Sequence, residues 1–347
     1  MSRPTMWSLR FRRIGEFGGY RPSLCFASRK YQSTMSISLP DTFYQTVLNK
    51  FEAAVKDGSL VYTPSEMVSD QINGMNVRYT LARALIEKPA GGANLKPIAL
   101  KEDRRLSPWI HPEATLLVTS GTKYLTVLNK FAVSKGHFLV VTKDYERQTA
   151  PLSEEDFQAS FAVLKAVNSQ SGIRHIGFFN SGPDSGASVE HKHIQFLPLP
   201  QDGFKPFPDN IIKATYINGE DPLHDDNLPF AHFVVPTPEQ FSGEELAFRY
   251  STLMARVMTV IGKNGMKGLS YNLVFTEEWM MAVPRQTENI EGRSVNALGT
   301  IGMFLAKTDK DLEFYKQVGP MKILQTVGFP FEKIDGCAID SVGYIRY

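Results

Sequence analysis

The tightest constraint on the fold is a series of short apolar segments broken by polar turns. "ATLLVTSGTKYLTVLNKF" (114–131), "GHFLVVTKDY" (136–145) and "YNLVFTEEWMMAVPR" (271–285) carry apolar runs too short for helices and rich in β-branched and aromatic residues. Ser120-Gly121 turns the first segment back on itself, and a third strand follows after "AVSK". Thr276-Glu277-Glu278 turns the last segment. "RHIGFFN", "HKHIQFLPLP", "FAHFVVPTP" and "TIGMFLAK" add further strands, and residues 77–86 read as extended. Helical patterns stand singly between them. Asp41 can cap a helix with Phe43, Val47, Phe51 and Val55 along one side. Ser153 with Asp156 forms a capping box, and Leu152 can staple onto Phe157. Ser242 with Glu245 and Thr308 with Asp311 open two more helices. Strands clustered as hairpins with single helices between them predict an α+β fold with antiparallel sheets, not a parallel βαβ array. An echo of "HFLVVTK" in "HFVVPTP" predicts two similar halves, about 35–205 and 225–347, packed into one unit.

Composition narrows the function classes. A net charge of +2 with scattered basic residues leaves no nucleic-acid footprint. No apolar run reaches the roughly 18 residues of a membrane span. Cys25 and Cys337 stand near opposite ends without a CxxC pair, which argues against structural zinc or a disulfide scaffold and for a reducing compartment. Residues 1–34 hold Arg3, Arg10, Arg12, Arg13, Arg21, Arg29 and Lys30 against the single acid Glu16. This leader reads either as a mitochondrial presequence or as an inert tail, and Met35 offers an alternative start. The expected location is cytoplasmic, with a mitochondrial form if the leader is a presequence.

The chemistry concentrates in "NSGPDSGASVEHKHIQF", residues 180–196. A strand over 191–196 would turn His191, His193 and Gln195 to one face and Lys192, Ile194 and Phe196 to the other. Gly182 and Gly186 permit close backbone approach, and the loop's N–H groups with Ser185 and Ser188 make an anion cradle. Three readings stand at this point: a metal site, a phosphate-facing nucleophile, and an ordinary strand face. A metal would need a third or fourth ligand, and none is evident by spacing.

"HKHIQF" resembles the H-x-H-x-Q variant of the histidine triad superfamily, and "NSGPDSGASVEHKHIQ" is similar to the fungal diadenosine tetraphosphate phosphorylases, or ATP adenylyltransferases. "LNKF", "HFLVVTK", "FAHFVVPTP", "SYNLVFTEEWMMAVPR", "GMFLAK" and "VGFP" follow in family order from Pro40 onward. The resemblance implies histidine-triad-like sheets and phosphorolysis of diadenosine tetraphosphate to ADP and ATP. His193 would be the nucleophile that carries the adenylyl group, His191 would orient the site, and Gln195 would hold a phosphate oxygen. The hydrolytic triad enzymes carry a third histidine at the Gln195 position; a carboxamide donates a hydrogen bond but serves as neither acid nor base. The resemblance further implies substrate contacts from Lys88, Asn129, Lys130, Asn180, Gly186, Ala187, Ser188, Val189, Asn296, Met303 and Lys307. By residue type alone Met303 suits a core, and His137 and His232 suit packed or hydrogen-bonded positions. The implied partners are dinucleoside polyphosphates, ATP, ADP and phosphate, on a monomer with no nucleic-acid or membrane partner. A divalent cation is expected with the polyphosphate, and no protein-bound zinc. The related galactose-1-phosphate uridylyltransferases carry HPH where this chain has Lys192, which disfavours uridylyl transfer. A dinucleoside polyphosphate hydrolase and a non-catalytic nucleotide sensor are the alternatives.

Overall fold

The computed structural model describes residues 37–63, 66–86, 107–214 and 221–331. The basic leader, Cys25, Lys88 and Cys337 lie outside the described residues.

Helix α1 (Phe43–Asp57) starts one residue later than an Asp41 cap requires. Thr42 is the N-cap, without a side-chain bond, and Gly58 ends the helix in the left-handed region. Phe43, Val47 and Phe51 are buried as the periodicity demands, but Ala54 takes the inner position and Val55 faces solvent. Two strands follow, β1 (Glu66–Ile72) and β2 (Met75–Leu81). The extended segment is therefore shorter than 77–86, because Arg83–Ile86 closes into a 3-10 turn.

The predicted hairpins form where the alternation places them: β3 (Leu117–Ser120), β4 (Tyr124–Leu128) and β5 (Phe138–Thr142). Helix α2 (Glu154–Ser171) opens on the reciprocal Ser153–Asp156 capping box. Strands β6 (His175–Ser181) and β7 (His193–Pro198) flank the Ser/Gly loop, and helix α3 (Pro208–Ala214) follows. The second half contributes β8 (Phe233–Pro236), α4 (Gly243–Lys263), β9 (Tyr271–Phe275) and β10 (Trp279–Pro284). After the small hairpin β11 (Asn289–Ile290) and β12 (Arg293–Ser294) come α5 (Ala297–Thr300) and β13 (Met303–Ala306). Helices α6 (Asp309–Val318) and α7 (Pro320–Val327) close the described chain, the first on the predicted Thr308–Asp311 box.

Eight strands build one sheet in the order β3-β4-β5-β7-β6-β9-β10-β8, each neighbouring pair antiparallel. The halves join inside this sheet, between its fifth and sixth strands, where β6 pairs β9 from Gly177↔Phe275 to Ser181↔Tyr271. A three-stranded sheet, β1-β2-β13, departs from the all-antiparallel expectation, since β13 runs parallel to β2. A tight hairpin forces antiparallel pairing, whereas strands joined by a long connection can take either direction. The two larger cores divide by sheet face and not by half. One core packs α1, α2 and α4 on one face, with Phe138 stacked on Phe196 at 5.3 Å and Phe161 on Phe275 at 5.4 Å. Burying each of these rings contributes about 1.5–3 kcal/mol. The other core gathers Trp279, Phe230, Phe304 and Tyr315 on the opposite face. No helix among the described residues is long and apolar enough to cross a membrane.

Candidate active site

Strands β6 and β7 pair from His175↔Pro198 to Phe178↔Gln195 and then part. Two residues further, where Asn180 would face His193, the side chain of Gln148 replaces the ladder. Its Oε1 accepts from the His193 N–H at 2.8 Å, and its Nε2 donates to the carbonyls of Asn180 at 2.8 Å and His193 at 3.2 Å. Gln148 is buried, so its carboxamide satisfies backbone groups that the parting strands would otherwise orphan. The gap holds the Ser/Gly loop.

His193 Nδ1 lies 2.8 Å from the His191 carbonyl oxygen. A carbonyl only accepts, so Nδ1 carries the proton and Nε2 carries the lone pair of the neutral ring. His193 and Gln195 share the expected face, and the Trp109 ring meets both imidazoles, 4.8 Å from His193 and 5.7 Å from His191. The strand starts at His193, and His191 precedes it in an isolated bridge to Arg147. The buried His191 imidazole has its Nε2 3.2 Å from the Asp144 carbonyl and 3.0 Å from Thr142 Oγ1. Its Nδ1 sits 2.5 Å from Ser107 Oγ. Burial pulls its pKa down against the opposing hydrogen bonds at Thr142 and Asp144, so the ring is neutral, donating from Nε2 and accepting from Ser107. His191 thus holds its own backbone in place, and that backbone orients His193.

Two cavities of about 300 and 310 Å³ meet at this point, both lined by Asn129, Phe131, Ser188 and Gln195. The first also takes in Asn180, Gly186, Asn296 and Lys307, and is the more polar. The second holds His193, Val189 and Lys130 beside the apolar walls of Trp109, Leu116, Val127 and Leu139. The Trp109 ring stands 4.8 Å from that of His193. Lys130 reaches Glu113 at 2.7 Å across the exposed rim of the second cavity. Gln195 has a fixed orientation. Asn129 Oδ1 accepts from the Phe131 N–H at 3.0 Å, which turns Asn129 Nδ2 toward Gln195 Oε1 at 3.3 Å. His137 Nε2 approaches the same oxygen at 3.2 Å. With its oxygen accepting from Asn129, Gln195 keeps its NH2 group as the donor for the cavities.

Several expected contacts are placed differently. Met303 and Ala187 are buried and line neither cavity; β13 turns Met303 into the second core. Asn296 caps α5, its Oδ1 accepting from the Leu298 N–H at 3.1 Å, while it still borders the first cavity. Ser185 does not serve the anion cradle with its hydroxyl, which is buried and donates to the Gly182 carbonyl at 2.6 Å. Gly182 and Gly186 are both left-handed, with φ of 90° and 83°. A Cβ on Gly182 would lie 2.5 Å from the Leu269 carbonyl, and one on Gly186 would lie 3.0 Å from Asn296 Cβ. Behind the strand, the buried Lys192 ammonium meets Glu146 at 2.7 Å and Asp156 at 3.1 Å. Burial drives the Asp156 carboxyl up, but the Ser153 N–H, the Tyr124 hydroxyl and Lys192 outweigh it and hold the group below its ordinary range.

The geometry offers an oriented imidazole in one of two cavities that share Asn129, Ser188 and Gln195. The Ap4A phosphorylase N-terminal domain model matches residues 33–212, more than half of the chain, and the ATP adenylyltransferase C-terminal domain model matches 226–330. Protein APA1 of Saccharomyces cerevisiae is 32% identical over 296 residues, covering 79% of this chain and 89% of that protein. Diadenosine 5',5'''-P1,P4-tetraphosphate phosphorylase 2 of the same yeast is 30% identical over 324 residues, covering 84% and 96%. The crystal structure of yeast Ap4A phosphorylase Apa2 in complex with Ap4A superposes with a TM-score of 0.73 at 29% identity, covering 85% of this chain and 100% of that one. Sequence, fold and site geometry agree across both halves, and the chain belongs to the Ap4A phosphorylase family.

Proposed function

We propose that the chain cleaves diadenosine tetraphosphate with inorganic phosphate to give ADP and ATP, through an adenylyl group carried on His193. The observation that carries this reading is the setting of His193. Its Nδ1–H is committed to the His191 carbonyl, and its ring faces a cavity that shares Gln195 and Asn129 with a second, more polar one. A dinucleotide bridging both cavities would lay one adenylyl half against Trp109 and His193. The remaining polyphosphate would run past Ser188 and Gln195 toward Asn180, Asn296 and Lys307.

In the first step the Nε2 lone pair forms a bond to the near α-phosphorus. The bridging P–O bond breaks, and ATP leaves with the electron pair. The positive charge that develops on the ring is stabilised through Nδ1–H by the His191 carbonyl. The Gln195 NH2 donates to a non-bridging oxygen as charge builds there. In the second step an oxygen of inorganic phosphate bonds to the same phosphorus, the N–P bond breaks, and ADP and neutral His193 result. Gln195 cannot take a proton from water, and this favours phosphate, which arrives already ionised, as the acceptor. Among the described residues no group of three or more His, Cys, Asp or Glu side chains is placed to hold a metal. A divalent cation would enter on the polyphosphate, bound by its oxygens.

Incubating the purified chain with diadenosine tetraphosphate and a divalent cation, with and without phosphate, tests the reading. ADP and ATP appearing only with phosphate supports it. AMP and ATP formed without phosphate would mark a hydrolase, and binding without turnover a sensor.

A further inference from the structure

Arg285, just past β10, is fully buried, yet among the described residues it is bonded to no carboxylate. Nε donates to the Val327 carbonyl at 3.0 Å. Nη2 donates to the carbonyls of Val295 at 2.7 Å, Thr287 at 2.9 Å and Glu288 at 3.4 Å. Nη1 donates to Asn272 Oδ1. Burial lowers its pKa to about 9, with Glu288 and Asp184 opposing the shift, so the group keeps its charge at neutral pH. A buried cation satisfied chiefly by carbonyls is a costly way to fasten loops together. It has one property that a neutral residue lacks: a guanidinium donates and never accepts.

That one-way character propagates. Because Nη1 faces Asn272, Asn272 must present its oxygen there and its NH2 on the other side. Both N–H bonds of that NH2 are used, at 2.8 Å to Asn180 Oδ1 and 2.8 Å to the Ser185 carbonyl. Asn180 Oδ1 accepts a second bond from the Ala297 N–H at 3.0 Å. With its oxygen engaged twice, Asn180 has only its NH2 left for the cavity it borders with Gly186, Ser188 and Asn296. The Ser185 carbonyl is drawn toward Asn272. In a trans peptide C=O and N–H point in opposite directions, so the Gly186 N–H is turned the other way.

We propose that Arg285 and Asn272 form a positioning relay that sets the donor polarity of the first cavity, making Asn180 and the Ser185–Gly186 peptide receptors for a polyphosphate anion. The inference rests on the phosphorolysis reading for the identity of the ligand and extends it to two residues that touch no substrate. Neither contributes a contact of its own. They decide which atoms of the lining face the phosphates.

The test separates polarity from packing by comparing dissociation constants for ATP and for adenosine, which lacks the phosphates. Asn272→Asp keeps the shape and pairs with Arg285, but it can no longer donate to Asn180 or Ser185. It is expected to weaken ATP binding by about 10-fold or more, with adenosine binding changed less than about threefold. A folded variant with an unchanged ATP-to-adenosine ratio overturns the relay. Arg285→Lys is the counter-variant: it still only donates, so it should keep the ratio even as it lowers the melting temperature. A ratio shifted by more than about threefold in Arg285→Lys overturns the proposal, whether or not Asn272→Asp folds. Because the readout is binding, a wild-type chain that binds ATP but fails to phosphorolyse diadenosine tetraphosphate would sink the activity and leave the relay standing.

Discussion

His193 and His232 occupy the same local geometry in the two halves of the sheet. Each stands at the start of a strand, with Nδ1 2.8 Å from the carbonyl two residues earlier, His191 in one case and Phe230 in the other. Both are therefore held in the same tautomer, with the lone pair on Nε2. They differ in their surroundings. The His193 ring borders a cavity beside Gln195 and Trp109. His232 Nε2 accepts from the Asp225 N–H at 2.9 Å, and its ring packs among Phe207 and Phe230 in complete burial. The tautomer lock prepares a nucleophile, but only the surroundings decide whether one is used.

The strongest way to break this comparison is to remove each ring in turn. His193→Ala should lower phosphorolysis by roughly 10⁴-fold or more, as loss of a covalent nucleophile does, while the melting temperature stays near that of the wild type. Turnover within tenfold of wild type, or adenylyl label still retained on the protein, removes His193 from the role. His232→Ala should do the reverse. It deletes a packed ring and orphans the Asp225 N–H, costing about 2–4 kcal/mol in denaturant unfolding. Turnover per folded molecule should stay within about threefold of wild type. A large kinetic defect in a folded His232→Ala protein would mean that the second half contributes to the chemistry.

A milder substitution sharpens what the surroundings supply. Gln195→Ala keeps the His193 tautomer but removes the donor shared by both cavities, and should reduce kcat by about 10²-fold. Measured single-turnover rates with KM little changed would support a transition-state contact. An equal rise in KM with kcat intact would assign Gln195 to ground-state binding.

The sequence made the hairpins and capping boxes readable because they are local. Ser153–Asp156, Thr308–Asp311 and the 271–285 hairpin each carry their determinants within a few residues. Strand alternation also correctly paired His193 with Gln195. It missed that the strand starts only at His193, where β6 and β7 part at Gln148, a residue 45 positions away from His193 whose role leaves no local pattern. Trp109 was equally hidden, since its contact with His193 depends on how a distant loop returns to the sheet. Asn272 and Arg285 read as ordinary residues of the 271–285 hairpin segment. Their connection to Asn180 exists only because β6 and β9 join the two halves.

The smallest expected effect is a pH slope, and it separates the two histidines without touching activity. Burial depresses the His232 pKa to about 4, with the Phe230 carbonyl opposing it, then His224 lowering it and Asp225 and Asp226 raising it. His175, also buried, is drawn to about 4 against the opposing Ile173 carbonyl. In the unfolded chain both titrate near 6.5. Between about pH 6.5 and 4 the unfolded state therefore binds more protons, and stability falls as the pH drops. The slope is at most about 1.4 kcal/mol per pH unit for each ring, and it flattens below the folded pKa values. Loss of the Asp156 contribution begins further down, near the unfolded carboxyl pKa of roughly 4, because its folded value is lowered. Denaturant unfolding of His232→Ala across this window should show the slope reduced by about one proton. An unchanged slope would mean that His232 is not buried as the neutral ring, and the contrast with His193 would then rest on access to substrate alone.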